Sequence, residues 1–283
     1  VIPASFRYVR AGSVEQARAL LAEHGEDAKL LAGGHSLIPM MKLRLAQPSV
    51  LIDIARIPGL ATLGVRPEAV TAGALVRHAA LAGSEELRRA APALWDAANE
   101  LGDAQVRNRG TIGGACAHGD PAADYPAVML ALDAAFTLAG ERERRVRADD
   151  FFQGMFETAL EPGEVLTGVD FAPAPLSAYV KLHHPASHYA VVGAAVKLEV
   201  AGGTIERARV AFTGAGYAAF RAPRVERAVA GLATSDRAGL RTACAGAAAD
   251  ADLRSDHYAS AAYRAAMADV FAVRALERAL DRA

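Results

Sequence analysis

Lys29-Leu30-Leu31-Ala32-Gly33-Gly34-His35-Ser36-Leu37 is where the reading of this chain begins. A short apolar run delivers a glycine pair, and a helix-like segment, Leu37 to Leu45, follows with Pro39 tolerated in its first turn. Glycine admits positive φ and lets the backbone come close to a ligand, leaving N–H groups free to face an anion. A second such turn, Gly110-Thr111-Ile112-Gly113-Gly114-Ala115, follows Gln105-Val106-Arg107-Asn108-Arg109 and runs on to Asp120-Pro121 and Asp124. One glycine pair alone reads most simply as an ordinary turn. Two of them, with Ser36 and Thr111 able to donate to phosphate oxygens and Lys29 adding charge, point to a clamp around a pyrophosphate.

Outward from the first turn, the amino end reads as β-α-β-α-β. Phe6 to Val9 alternates, Ser13 with Gln16 forms a capping box for a helix ended by Gly25, and Ala28 to Leu31 and Val50 to Ile54 are short buried strands. Pro58-Gly59 is a natural boundary. Next come a hairpin over Leu60 to Val65 and Ala69 to Ala72, and a helical stretch from Leu75 to Leu101 interrupted at Gly83 and Pro92. Pro126 opens a further helix. Phe136 to Leu138 and Val165 to Phe171 read as strands, and Glu141 to Arg147 as a solvated turn. Ala172-Pro173-Ala174-Pro175 is the clearest linker. Beyond it, Val191 to Val200 and Ile205 to Thr213 form a hairpin through Gly202-Gly203. Helices follow over Arg224 to Ala230 and Arg237 to Ala249, with a long one from His257 onward. On that last helix Tyr263, Met267, Val270, Phe271 and Leu280 share a face, leaving Arg264, Arg274 and Arg278 outside it. The expected units are 1–58, 59–173 and 174–283.

With 283 residues the chain can bury a proper core, and 52% hydrophobic against 22% charged residues marks a folded protein. A net charge of −1 argues against nucleic acid or an anionic membrane as the main partner. There is no apolar run of bilayer length and no signal-peptide pattern at the amino end, so a cytoplasmic location is expected. Only two cysteines are present, Cys116 and Cys244. An iron–sulfur cluster takes about four thiolates, so the chain does not hold one alone. No zinc-type spacing of histidines and carboxylates occurs either, and no metal site is expected.

Neither glycine turn is a P-loop or a G-x-G-x-x-G dinucleotide motif. His35 reads most simply as a turn histidine bonding backbone or phosphate. Asp124 either caps the helix near Pro126 or bonds sugar hydroxyls of a ligand; the residues leave both open. Cys116 reads as packing. Tyr189, at a loop-to-strand junction after His183, His184 and His188, has the shape to cap a planar ligand.

Lys29 to Leu37 together with Arg107 to Gly114 resemble one family: the FAD-binding medium subunit of molybdenum hydroxylases, of the carbon monoxide dehydrogenase type. Ala117 to Asp124, Phe152-Gln153-Gly154, Glu161 to Thr167, Lys181 and His188-Tyr189-Ala190 extend the resemblance over essentially the whole chain. It implies an α+β FAD-binding module of two subdomains, like that of vanillyl-alcohol oxidase (PCMH-type), followed by a small α/β carboxy-terminal domain with a sheet and packed helices. It also implies roles. Ala32 to Ser36 and Thr111 to Gly114 would wrap the FAD pyrophosphate, largely through backbone N–H groups, with Leu31, Leu37 and Gly110 beside them. Lys29 would lie near the adenosine–phosphate end and Asp124 near ribityl or ribose hydroxyls. Leu101 would join the cofactor contacts, Leu166 would offer backbone to the isoalloxazine edge, Lys181 would sit near the ring, and Tyr189 would cover one flavin face. The family often has Asn where this chain has Ala115, so a side-chain hydrogen bond is lost there. The molybdenum cofactor and [2Fe–2S] clusters are expected on a large and a small partner subunit, in a dimer of heterotrimers. The alternative is a stand-alone oxidase with flavin covalently attached at His35. No catalytic side chain is expected.

Overall fold

The computed structural model describes residues 2–283. Three main sheets succeed one another along the chain, with a two-stranded ribbon of Phe152–Gly154 and Glu157–Thr158 besides. The first holds three parallel strands in the order Arg7–Arg10, Val50–Asp53, Ala28–Leu31. Parallel neighbours need crossovers, and the helix Val14–His24 supplies one. Ser13 Oγ accepts from Gln16 N at its start, while the Gln16 side chain reaches back to Gly12 N. The Ser13 half of the capping box read from the sequence is in place, and its return bond lands one residue earlier, on Gly12.

The second sheet is antiparallel, in the order Leu63–Val65, Val70–Gly73, Val165–Phe171, Ala135–Ala139, Glu143–Arg147. Its last member corrects the reading of Glu141 to Arg147 as a turn. Exposed Glu143, Arg145 and Arg147 alternate with half-buried Arg144 and Val146, as on an edge strand with one solvated face. Helices fill the long excursion between Gly73 and Ala135. The stretch expected to be helical from Leu75 instead makes a turn at Ala74-Leu75, closed by Val76 N on Gly73 O, and Arg77 bridges Thr111; Leu75 N bonds Leu60 O and Val76 O accepts from Ile112 N. Helix begins only at His78, and it comes in three pieces, His78–Ala82, Glu85–Ala90 and Pro92–Glu100. Ser84 caps the second through Leu87 N, and Pro92 occupies the first position of the third.

The third sheet runs Ser177–His183, Ala190–Ala201, Thr204–Thr213, Phe220–Arg221. Its first strand, which carries Lys181, was not anticipated. Lys181 and His183 interrupt its apolar pattern. The final helix spans Ala261–Leu280 rather than starting at His257, since Asp256 binds the N–H groups of Tyr258 and Ala259 and Ser260 is the cap. Its buried face also differs from expectation. Arg264 is 1% exposed, whereas Tyr263 and Val270 face solvent. The Arg264 guanidinium is buried because it donates to Val191 O, Gly214 O and Asp256.

Two features join the second and third sheets. Every residue of the helix Asp124–Ala131 is buried, and it packs on the strands Ala190–Ala201 and Thr204–Thr213. A helix apolar all round belongs inside a core. Asp96, fully buried on Pro92–Glu100, accepts hydrogen bonds from Arg278, Arg282 and the N–H of Tyr179. Among the described residues, no helix is long and apolar enough to cross a membrane.

Candidate cofactor site

The strands Ala28–Leu31 and Val50–Asp53 end on the same side of the first sheet, and the Ala32 to Ser36 turn leaves from there. Gly34 has φ +76°, and a Cβ there would meet Ile38 and Leu31 side chains. Gly33 is required for another reason: a Cβ would lie 2.2 Å from the carbonyl oxygen of Arg109 and 2.8 Å from Gly110 Cα. The two glycine turns, some 75 residues apart, are thus in direct backbone contact. A Cβ on Gly114 would in turn lie 3.9 Å from the Ala32 methyl. Gly113 is held against Ala74, whose Cα would be 2.6 Å from a Cβ.

The turns differ in what they offer. Among the described residues the N–H groups of Gly33, Gly34, His35 and Ser36 have no protein acceptor. In the second turn the N–H groups of Ile112, Gly113, Gly114 and Ala115 already bond Val76 O, Ala74 O, Thr111 Oγ1 and Thr111 O. The backbone N–H cradle expected of the second turn is thereby reduced to the N–H of Thr111, which has no protein acceptor among the described residues. There the Thr111 hydroxyl caps the helix Ile112–His118 as an acceptor and keeps its proton to donate. His35 Nδ1 lies 3.1 Å from Gly33 O, and the ring is exposed.

A cleft of about 480 Å³ opens between the turns. Lys29, Leu31, Ala32 to Leu37, Gly110, Thr111, Gly113 to Ala115 and Leu166 all line it. A β-bulge between Leu166 and Gly168 re-aims Leu166 toward it, while Thr167 O receives Ala74 N. The lining also includes side chains that were given no role in the sequence, His78, His118 and Phe156 among them. His118 and Phe156 pack with ring centroids 5.1 Å apart, and burial lowers the His118 pKa.

Residues 4–174 match the family model for the FAD binding domain in molybdopterin dehydrogenase, and residues 177–279 match that for the CO dehydrogenase flavoprotein C-terminal domain. The carbon monoxide dehydrogenase medium chain of Afipia carboxidovorans is 42% identical, over 100% of this chain and 99% of that one. The solved carbon monoxide dehydrogenase of Hydrogenophaga pseudoflava superposes with a TM-score of 0.94 at 42% identity, covering 100% and 99% of the two chains. Quinoline 2-oxidoreductase of Pseudomonas putida 86 gives 0.93 at 30%, covering 99% of each. The chain belongs to the FAD-binding medium subunits of the molybdenum hydroxylases. The resemblance read from the two turns and the α+β fold class that it implied both hold.

In this medium subunit the features present fit FAD: unbonded N–H groups at the end of a parallel strand, and glycines where any side chain would close the gap between the turns. Four expected contacts do not line the cleft. Leu101 O accepts from Arg107, which also binds Gly102 O. Asp124 neither caps its helix nor faces open solvent. It is the first helical residue, 2% exposed, with its carboxylate bound by the Tyr179 hydroxyl and Lys181 Nζ. Burial raises the Asp124 pKa, and the Lys181 ammonium and the Tyr179 hydrogen bond oppose that shift. Tyr189 is 43% exposed in a tight loop where His184 N bonds Tyr189 O and Ala190 N bonds Ala122 O. His183, at the start of that loop, pairs with Glu100 at 2.6 Å.

Proposed function

We propose that this medium subunit is the electron outlet of a molybdenum-dependent oxidoreductase complex. When bound, FAD accepts electrons from iron–sulfur clusters on a small partner subunit and passes them to an external acceptor. The substrate is oxidised at a molybdenum centre on a large partner. The observation that carries this reading is the direct contact of the two glycine turns around one cleft, in a chain whose only two cysteines are free and buried. Gly33 to Ser36 would hold the pyrophosphate by backbone N–H groups, Thr111 by its hydroxyl, and Lys29 would add charge at the phosphate end. The further site assignments form one cofactor path within this proposal: Leu31, Leu37, Gly110 and Gly113 to Ala115 beside the phosphates, and Leu166 toward the ring. Leu101, Lys181 and Tyr189 form the ring end, where Asp124 acts through its bonds to Lys181 and Tyr179.

The relatives are named for carbon monoxide and for quinoline, in keeping with a substrate that is selected on another subunit. The division at 1–58, 59–173 and 174–283, a dimer of heterotrimers and a cytoplasmic location belong to the same proposal, and free buried thiols suit a reducing compartment. The oxidase alternative is not favoured, because the matched domains are the FAD binding domain in molybdopterin dehydrogenase and the CO dehydrogenase flavoprotein C-terminal domain. The test is to mix the FAD-loaded chain with substrate alone and then with its partner subunits. Flavin bleaching only in the assembled complex supports the relay. Flavin that stays oxidised while the complex turns over and its acceptor is reduced overturns it.

A further inference from the structure

The cleft has a histidine that the phosphate-clamp reading does not use. His78 opens the helix His78–Ala82, is 4% exposed, and lines the cleft behind the second glycine turn. Its backbone N–H binds Gly110 O at 3.1 Å. Its ring lies over Gly110, where a Cβ would be 2.4 Å from Nε2 and 2.6 Å from Cδ2. On its other side, Nδ1 is 3.0 Å from the hydroxyl of Tyr125. Tyr125 is fully buried, and His78 is the one hydrogen-bond partner of its hydroxyl among the described residues. A buried phenol must place its proton, and only Nδ1 is there to take it. The tautomer follows. Nδ1 is the acceptor, and Nε2 carries the hydrogen on the side of Gly110 and the cleft.

We propose that His78 is a neutral hydrogen-bond donor of the FAD site, its Nε2–H fixed toward the bound dinucleotide by Tyr125 while its backbone pins the Gly110-Thr111 turn. The proposal rests on the FAD reading above. Burial first, and then the charges of His35 and Arg107, lower the His78 pKa to about 4, so the ring enters the site uncharged at neutral pH. The arrangement adds a donor on the second turn, where the N–H groups of Ile112 to Ala115 are already bonded within the protein and only that of Thr111 is left without a protein acceptor among the described residues. It also explains a glycine outside both glycine pairs, because a side chain at Gly110 would displace the ring.

The test uses the full-length chain stripped of flavin and titrated with FAD, read by quenching of flavin fluorescence, with the thermal midpoint of each apo-protein recorded beside it. His78→Phe is expected to weaken binding by about tenfold or more, the scale of one hydrogen bond to a charged acceptor. His78→Gln, which accepts from Tyr125 and donates through its amide, is expected to stay within about threefold of the parent. Tyr125→Phe, which frees the tautomer, is expected to fall between them. In histidine-labelled parent protein, the ring nitrogen signals are expected to report Nε2–H between about pH 5.5 and 8 and to move when FAD is added. Parent-like affinity in His78→Phe, or an Nε2–H signal that FAD leaves unmoved, overturns the role of His78 alone. A parent chain that takes up no FAD overturns the cofactor reading and His78 with it. If His78→Phe melts early, the Gln and Tyr125 variants and the nitrogen signals decide.

Discussion

Gly33 and Arg109 touch through their backbones: a Cβ built on Gly33 would lie 2.2 Å from the Arg109 carbonyl oxygen. No rotamer relieves a contact between Cβ and backbone, so Gly33→Ala must push the two turns apart. The expected outcome is FAD affinity lowered about tenfold or more, because a misplacement of about an ångström is costly where several donors act on one anion. Calorimetric titration of the two proteins checks it.

Asp96 and the arginines of the last helix make a second test, this time of the domain junction. The Asp96 side chain is fully buried, and those of Arg278 and Arg282 are 41% and 24% exposed. Asp96→Ala removes the buried acceptor of both guanidiniums and of Tyr179 N, and is expected to cost about 3 kcal/mol. Urea unfolding is the measurement, with Asp96→Asn expected to lose less because it keeps an acceptor for Tyr179 N.

His78 makes stability pH-dependent on the acid side. Its pKa in the fold is about 4 against an ordinary value of 6.5. Between those values the unfolded chain binds the extra proton, so stability rises with pH across that window and is lost as pH falls from 6.5 toward 4. The full effect is of order 3 kcal/mol. Thermal midpoints across the window are expected to decline toward acid more steeply in the parent than in His78→Gln.

Ala115 lines the cleft without a side-chain donor. Ala115→Asn adds one on a helix whose backbone is already satisfied, and is expected to tighten FAD binding by about three- to tenfold. Equal dissociation constants for the two proteins would count against a cofactor path along that residue.

The site was more legible than the frame around it. Glycine pairs are punctuation that sequence displays openly, and the hydroxyls beside them mark the chemistry. The contact between the turns was not visible, because the second turn is held by the non-helical segment Ala74 to Arg77, which receives Gly113 N and Ile112 N and bridges Thr111. Local propensity there favours helix, and pairing with Leu60 and Ile112 overrides it. Glu143–Arg147 was misread because its charge pattern resembles a solvated loop, although the alternation with Val146 is that of an edge strand. Arg264 escaped for the opposite reason: a buried arginine is revealed only by the carbonyls it finds, which lie on other elements. His78 gave no sign in the sequence, where the helix was read as starting at Leu75. Its partner Tyr125 is 47 residues away.

The central claim is that the paired turns recognise a pyrophosphate. The most direct measurement is a competitive titration of the flavin-free chain with FAD and with riboflavin, which has the same ring and no phosphate. FAD bound at one per chain, with riboflavin weaker by about a hundredfold or more, is the expected result. Riboflavin bound as tightly as FAD would contradict it.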